Sequence, residues 1–528
     1  MSEVEEKDVR SKNPSDEANS DNEEKHIKPK PDCDEISLFR ESMFLLCMCL
    51  QQLLTQSSVA QTTNPTSEIG ATFGVQDNPG EMSWFTSAFS FSVGTFILIS
   101  GRLGDIYGYK KIYLLGMAWI SVFSLLCGVT GFTTSAVFLD VMRAMQGLGF
   151  ALSMPNALAL IGHYYPNGFK KSCCMCLYGS VAPGGFVFGA LFSGLCAQFA
   201  NNMALSGVWL SFFLMSIAAA IVFVMAYFAI PENIENPQGE GGHNFDILGG
   251  VTGVAALSLI NFAWNQGPNV GWDKPYVYVL LIVGVLLLGV FYIVEKRVKD
   301  PLLPTTVLTG ETGFVLGCVG AGYSCFGVWL YYSFRWAEFV DHEKPLLRAV
   351  QFIPALIIGF LAASLTAVLL RRFPSSFVMI LAMLAFFTGI TIMGTRHVGQ
   401  IYWAQKFVSI LIQCFGMDMS FPAGAVILSH TFPKAQQGIA ASLVATFQNF
   451  SISIGLGLAG TVEKYETMNR PKGLDTTVHG YRVAFYMGMG LAGLGVVLSF
   501  VFFLTQVFQK KKPSEIENPT DPTEEKLV

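Results

Sequence analysis

The sequence predicts an all-α polytopic membrane protein with about fourteen transmembrane helices. Of its 528 residues, 52% are hydrophobic and only 13% are charged. A soluble domain carries about 25% charged residues, so this chain lacks the surface of an ordinary soluble enzyme. Mean hydropathy is +0.47. Fourteen windows are apolar over the roughly 20 residues that a spanning helix needs. The connectors between them are short, each under about 20 residues, which leaves no loop able to house a catalytic domain.

The first eight windows fall near 41–62, 83–101, 112–130, 135–158, 173–199, 205–230, 247–265 and 276–294. Six more follow near 313–333, 347–370, 376–394, 403–428, 438–462 and 483–506. The first is the weakest, being rich in Gln, Ser and Thr. Residues 1–37 hold twelve Asp/Glu against six Lys/Arg, and residues 509–528 hold five against four. These two acidic tails account for the formal net charge of −5, which therefore says nothing about nucleic acid. The first tail has no apolar run to bury and reads as disordered, with no signal peptide.

Lys and Arg set the orientation. The loop after span 2 carries Arg102, Lys110 and Lys111, and the loop after span 4 carries Lys170 and Lys171. Later inner loops hold Lys296, Arg297, Lys299, Arg371 and Arg372, and the last span exits into Lys510, Lys511 and Lys512. The loops after spans 1, 3 and 5 have none. Both termini are expected to be cytoplasmic. Eleven scattered Cys, mostly inside apolar runs, argue against a disulfide framework. Cys173, Cys174 and Cys176 read as small apolar helix residues rather than a soft-metal site. The chain contains no Gly-Lys dipeptide and so lacks the phosphate-binding P-loop motif, and ATP-driven pumping is not expected.

Residues 101–111 read GRLGDIYGYKK in the short loop expected between spans 2 and 3. Gly101 and Gly108 permit tight turns, Asp105 suits a helix end, and Arg102, Lys110 and Lys111 face the anionic leaflet or a nearby acid. The segment resembles the inner-loop signature of the major facilitator superfamily, with Ile106 where a basic residue is usual. Residues 140–151 read DVMRAMQGLGFA in span 4. An intramembrane Arg is costly and faces a partner inside the bundle; Asp140 lies three residues from Arg143, on the same helix face. The run Arg143, Gln146, Gly147, Gly149 resembles the span-4 motif of that superfamily, in which the Arg is tied to proton coupling.

Residues 179–189 read GSVAPGGFVFG in span 5. Pro183 removes a backbone hydrogen bond, and Gly179, Gly184, Gly185 and Gly189 allow close packing, so a bend is expected. The run resembles the Gly/Pro-rich antiporter motif, with Ala182 and Pro183 where Gly-Pro is usual. Residues 246–272, 415–422 and 438–462 resemble fungal members of the 14-span drug:proton antiporter group. The likeness is greatest to the yeast subgroup of an aminotriazole-resistance and boron-efflux protein and a low-affinity ammonium facilitator. It spans nearly everything between residues 40 and 508. Many bacterial relatives carry a carboxylate in span 1 before a Pro; residues 60–65 here read AQTTNP, with no acid.

The resemblance implies a major facilitator fold of 6+2+6 helices. An N-terminal bundle would occupy 38–230, a linker with two extra helices 231–311, and a C-terminal bundle 312–508. It implies a secondary transporter of small solutes, coupled to protons, with drug or toxic-solute efflux as the leading activity. Uncoupled facilitation of ammonium or a similar polar solute stays open, and a transporter-like nutrient sensor ranks behind it. The expected partners are a small-molecule or ion substrate, protons and the lipid bilayer, with neither cofactor nor metal, in a monomer. The expected location is the plasma membrane, with the vacuolar membrane open. Asp418, within FGMDMSFP in span 12, is the leading titrating carboxylate, about 22 Å down its helix at 1.5 Å per residue. Asp140 is the runner-up. Gln448 and Asn449, in the sequon of span 13, read as polar cavity or interhelix contacts.

Overall fold

A computed structural model describes residues 37–76, 78–166, 169–199, 207–232, 246–298, 301–303, 310–431 and 437–510. The two expected tails lie almost wholly outside the described residues, as do Lys299, Lys511 and Lys512. The described chain is helical throughout. In order, the helices are α1 (Leu38–Thr63), α2 (Thr66–Phe73), α3 (Pro79–Tyr107), α4 (Tyr109–Val129), α5 (Ala136–Tyr164) and α6 (Phe169–Phe199). Then come α7 (Val208–Ala229), α8 (Ile247–Val270), α9 (Pro275–Arg297), α10 (Gly310–Phe339) and α11 (Pro345–Val350). The last are α12 (Ile353–Arg372), α13 (Ser375–Gly394), α14 (Gln405–Thr431), α15 (Gln437–Thr467) and α16 (Leu474–Lys510). Fourteen helical stretches are long and apolar enough to cross a membrane, with α11 and α12 counted as one and α2 too short to count. Each overlaps one of the windows read from the sequence.

Caps fix where several helices begin. Asn78 accepts the Glu81 amide at 3.3 Å, with Pro79 at the first helical position. Asp246 Oδ1 accepts the Gly249 amide at 2.8 Å, and Ser135 caps α5. One expectation is corrected here. Residues 101–111 are not a loop: α3 runs through Gly101 and Asp105 to Tyr107, and α4 starts at Tyr109. Only Gly108, at φ +99°, breaks the helix. Its neighbours stay helical because Gly104 packs on Asn156 and Gly101 on Ser442, so these glycines serve close approach rather than turning. The loop expected near 463–482 likewise shrinks, since α15 reaches Thr467 and α16 starts at Leu474.

Because the spans alternate in direction, α1 begins and α16 finishes at the same end, the terminal end; the opposite one is the far end. Among residues 38–230, α5 packs on α3 and α4, α1 on α6, and α4 on α7. After residue 310, α10 packs on α15 and α16, α13 on α14 and α16, and α12 on α14. The buried apolar clusters follow the same division, with one built almost wholly from α10 to α16. The two groups meet where α3 lies against α15 and where α6 lies against α11 and α12. Helices α8 and α9 pair with each other, and α8 touches both α3 and α15. On α9, Ile282, Val285 and Leu286 are exposed, as suits a lipid-facing surface.

Helix α6 uses its small residues on two faces. A methyl placed at Gly185 would lie 2.6 Å from the Leu53 carbonyl oxygen, and one at Gly189 only 2.4 Å from Ser57 Cα. Ser57 Oγ donates to the Gly185 carbonyl at 2.8 Å, locking α1 to α6. Gly179, by contrast, has nothing within 4 Å. Gly189→Ala therefore forces α1 and α6 apart, and overpacking of this kind costs about 1–3 kcal/mol. Thermal melting of the purified protein in detergent should show a lower midpoint for Gly189→Ala and none for Gly179→Ala. Equal midpoints would mean that the α1–α6 contact yields freely.

Candidate functional site

The span-4 arginine is the centre of the first half. Arg143 on α5 is fully buried. Its Nε donates to the Phe85 carbonyl of α3 at 3.1 Å, and Nη2 donates to the Ser58 carbonyl of α1 at 2.8 Å and to Thr62 Oγ1 at 3.2 Å. Nη1 donates to Gln146 Oε1, whose own Nε2 donates to Ser124 Oγ on α4 at 2.8 Å. The guanidinium also lies 4.8 Å from the centre of the Phe89 ring. Four helices are thus joined through two side chains of α5, Arg143 and Gln146.

This corrects the pairing suggested by spacing. Arg143 forms no ion pair with Asp140: each of its three nitrogens donates to a backbone, hydroxyl or amide oxygen, and Asp140 Oδ1 has no hydrogen-bond partner. Sharing a helix face does not bring the groups together, because the guanidinium reaches toward α1 and α3. Asp140 lies one turn into α5, near the far end.

Asp418 is about 20 Å along α14 from its start at Gln405, at 1.5 Å per residue. Its Oδ2 has no hydrogen-bond partner. A methyl at Gly359 on α12 would lie 3.0 Å from that oxygen and 2.5 Å from Pro183 Cγ on α6. The carboxylate therefore sits where the span-5 Gly/Pro run of the first half meets α12 and α14 of the second. Gly184 points the same way, toward Leu356. The glycine at 359 is what lets α6 come this close.

Other residues singled out by sequence are scattered. Asn449 packs against Gly94 at the α3–α15 contact, but its Nδ2 donates to the Ala445 carbonyl of its own helix at 2.9 Å. Gln448 is half-buried one residue earlier. At the terminal end, Tyr109 OH donates to Asp105 Oδ1 at 2.7 Å, and Arg102 lies 3.9 Å from Asp105. Lys110 donates to the Ile230 carbonyl at the end of α7, 2.7 Å away, while Lys111 is exposed. Of this set, Gly101 reaches the second half, at Ser442. Cys173 is exposed and Cys174 buried, and the Cys176 side chain lies outside what is described.

Two polar groups were not foreseen. The Gln and Thr residues that weaken span 1 are packed inside: Tyr178 OH donates to Gln51 Oε1 at 3.1 Å, and Gln51 Nε2 donates to Ser153 Oγ and Thr55 Oγ1, each at 3.0 Å. At the far end, Arg348 Nη2 donates to Glu68 Oε1 at 2.7 Å, which joins α11 to α2. Arg348 Nη1 lies 3.0 Å from Glu338 Oε2, and Arg335 Nη1 donates to Ser67 Oγ at 2.9 Å. Burial pushes the Glu68 carboxyl above the usual carboxylate range, while the neighbouring Arg348 guanidinium pulls the other way. The available signal was a pair of charges bordering apolar windows at the end expected to be poor in Lys and Arg.

The network around Arg143 separates packing from charge. Arg143→Lys keeps the charge but loses the planar fork that reaches α1, α3 and Gln146 together. It should lower thermal stability by about 2–4 kcal/mol, several lost bonds at roughly 1 kcal/mol each. Asp140→Asn, which breaks no ion pair, should melt like the parent chain. Matching losses in the two variants would mean that Asp140 supports Arg143 after all.

Comparison with known proteins places this geometry. The Major Facilitator Superfamily model matches residues 46–370 and 312–527. An uncharacterized MFS-type transporter of Schizosaccharomyces pombe is 46% identical over 481 residues, covering 90% of each chain. The low affinity ammonium transporter of Saccharomyces cerevisiae is 44% identical over 480 residues, covering 90% of this chain and 91% of its own. The efflux pump terJ of Aspergillus terreus is 38% identical over 483 residues, covering 90% of each. With fourteen apolar helices, a buried span-4 arginine and matches along nearly its whole length, this chain belongs to the major facilitator superfamily of transporters.

Proposed function

We propose that this transporter is a proton-coupled secondary carrier that moves small solutes or ions across the plasma membrane, acting as a monomer without a cofactor. Its working parts are two six-helix bundles, 38–230 and 312–508, which rock about the α3–α15 and α6–α12 contacts to alternate access. The extra helices of 231–311 lie between them in sequence. The terminal end faces the cytoplasm. Supporting this, Arg102, Lys110, Lys111, Lys296, Arg297, Arg371 and Arg372 all lie there and the connections after spans 1, 3 and 5 carry no Lys or Arg, although the far end also holds Lys274, Lys344, Lys464, Arg470 and Lys472.

The observation that carries the reading is Asp418. A carboxylate deep in a spanning helix, without an ion-pair partner and at the junction of the two bundles, calls for a proton or a cationic substrate. Arg143 and Gln146 hold the first half in register with it, and Gln448 and Asn449 line the other contact between the bundles. Pro183 and Gly184 form the surface that moves against Asp418, while Gly185 and Gly189 hold α6 to α1, and Asp105 with its neighbours governs the terminal end. The resemblance to an efflux pump favours outward transport of toxic solutes. That to an ammonium transporter favours a second reading, uncoupled facilitation of ammonium or a similar solute.

Fluxes of ammonium, methylammonium, borate and aminotriazole in cells with and without the protein identify the cargo. Transport against external pH for Asp418→Asn then separates the two readings. The expected result is an Asn variant that reaches the membrane but loses the pH dependence of the parent. If both rate and pH dependence persist, Asp418 is structural and the coupling carboxylate is to be sought at Asp140; a parent chain whose rate ignores external pH favours facilitation without protons.

A further inference from the structure

The contacts between the two bundles differ in chemistry at the two ends. Among the described residues, those toward the terminal end are between small or apolar groups: Gly101 against Ser442, and Ala445 and Phe421 packed into the core of the first half. At the far end they are charged. Glu68 and Ser67 on α2 meet Arg348 on α11 and Arg335 on α10, with Glu338 bridging the two arginines at 3.0 and 3.5 Å. Asn64 adds Nδ2 donations to the Ala190 carbonyl at 2.9 Å and to the Pro345 carbonyl at 3.1 Å, again spanning both bundles. Arg348 is 1% exposed and Arg335 4% exposed.

We infer that Glu68 and Arg348, backed by Glu338, Arg335, Ser67 and Asn64, form a latch that closes the far end and must part in every transport cycle. The inference rests on the rocking of the two bundles proposed above. Two features support a latch over ordinary packing. The joint is built from groups that water satisfies equally well, so opening exchanges protein partners for water instead of stranding apolar surface. Arg348 is buried while the Glu68 side chain is 29% exposed, and an ion pair that is largely out of water returns in attraction little more than it costs in lost hydration, so it fixes one arrangement without making it permanent. Beneath it, Ala60 on α1 is fully buried in the apolar cluster built chiefly by the second bundle. It becomes exposed to water only when the far ends separate.

Ala60→Cys therefore reports the state of the far end through its rate of labelling by a membrane-impermeant methanethiosulfonate, corrected for the parent chain. Glu68→Lys sets two like charges against each other and should raise that rate roughly fivefold or more, the lower range of a coupling between states. Glu68→Lys with Arg348→Glu and Glu338→Gln reverses the pair without setting two carboxylates together and should bring it back. An unchanged rate in the single variant, or no recovery in the triple, overturns the latch. Should Glu68→Lys fail to reach the membrane, Glu68→Cys with Arg348→Cys decides instead. A short bifunctional thiol reagent across that pair should stop labelling at position 60, and unaltered labelling counts against the latch. Labelling needs no substrate, so a chain that transports nothing would refute the transport reading while leaving the latch to its own result.

Discussion

The first bundle depends on satisfying one buried guanidinium. Arg143 has five N–H donors in a fully buried site, and the surrounding helices supply oxygen to four of them at fixed positions. Phe85, Ser58 and Thr62 do so from α3 and α1, and Gln146 passes the demand to Ser124 on α4. Leaving any such donor unmet in a bilayer costs several kcal/mol, so the relative rotation of four helices is set by this network. The glycines of α6 then set how closely that helix approaches α1. Polar demand fixes rotation, and small residues fix distance.

The same division explains how little of the site follows from motif spacing alone. The spans were legible because a hydropathy window measures what the bilayer requires of each helix. The partners of Arg143 were not, since two of the four are backbone carbonyls, present at every residue. Asp140 was the obvious candidate by spacing, yet the arginine reaches past it. Asp418 was legible as an unpartnered acid in an apolar run. That Gly359 and Pro183 would surround it depends on contacts remote in sequence, and a glycine carries no sign of which neighbour it admits. The run 101–111 was misread for the related reason that glycine in a helix resembles glycine in a turn until its neighbour is known.

Helix α8 completes the picture of what can move. Most of its hydrogen bonds run to α15: Trp264 Nε1 donates to the Ile454 carbonyl at 3.0 Å, Asn265 Nδ2 donates to Ser453 Oγ at 2.6 Å, and just past its end Trp272 Nε1 donates to Thr461 Oγ1 at 3.2 Å. Lys464 Nζ adds a bond to the Asn269 carbonyl at 2.9 Å. Toward α3 it offers Gln266 to Trp84 and a Phe262–Trp84 ring contact at 5.5 Å. A helix tied to one neighbour by several directional bonds and to the other chiefly by aromatic surface travels with the first. In a rocking cycle α8 would move with α15 and slide over α3, since ring contacts tolerate displacement that a hydrogen bond near 3 Å does not. The extra pair thus widens the second bundle's contact with the first, and such a motion would have to break the Trp84–Gln266 bond at α3 as well as the charged joint at the far end.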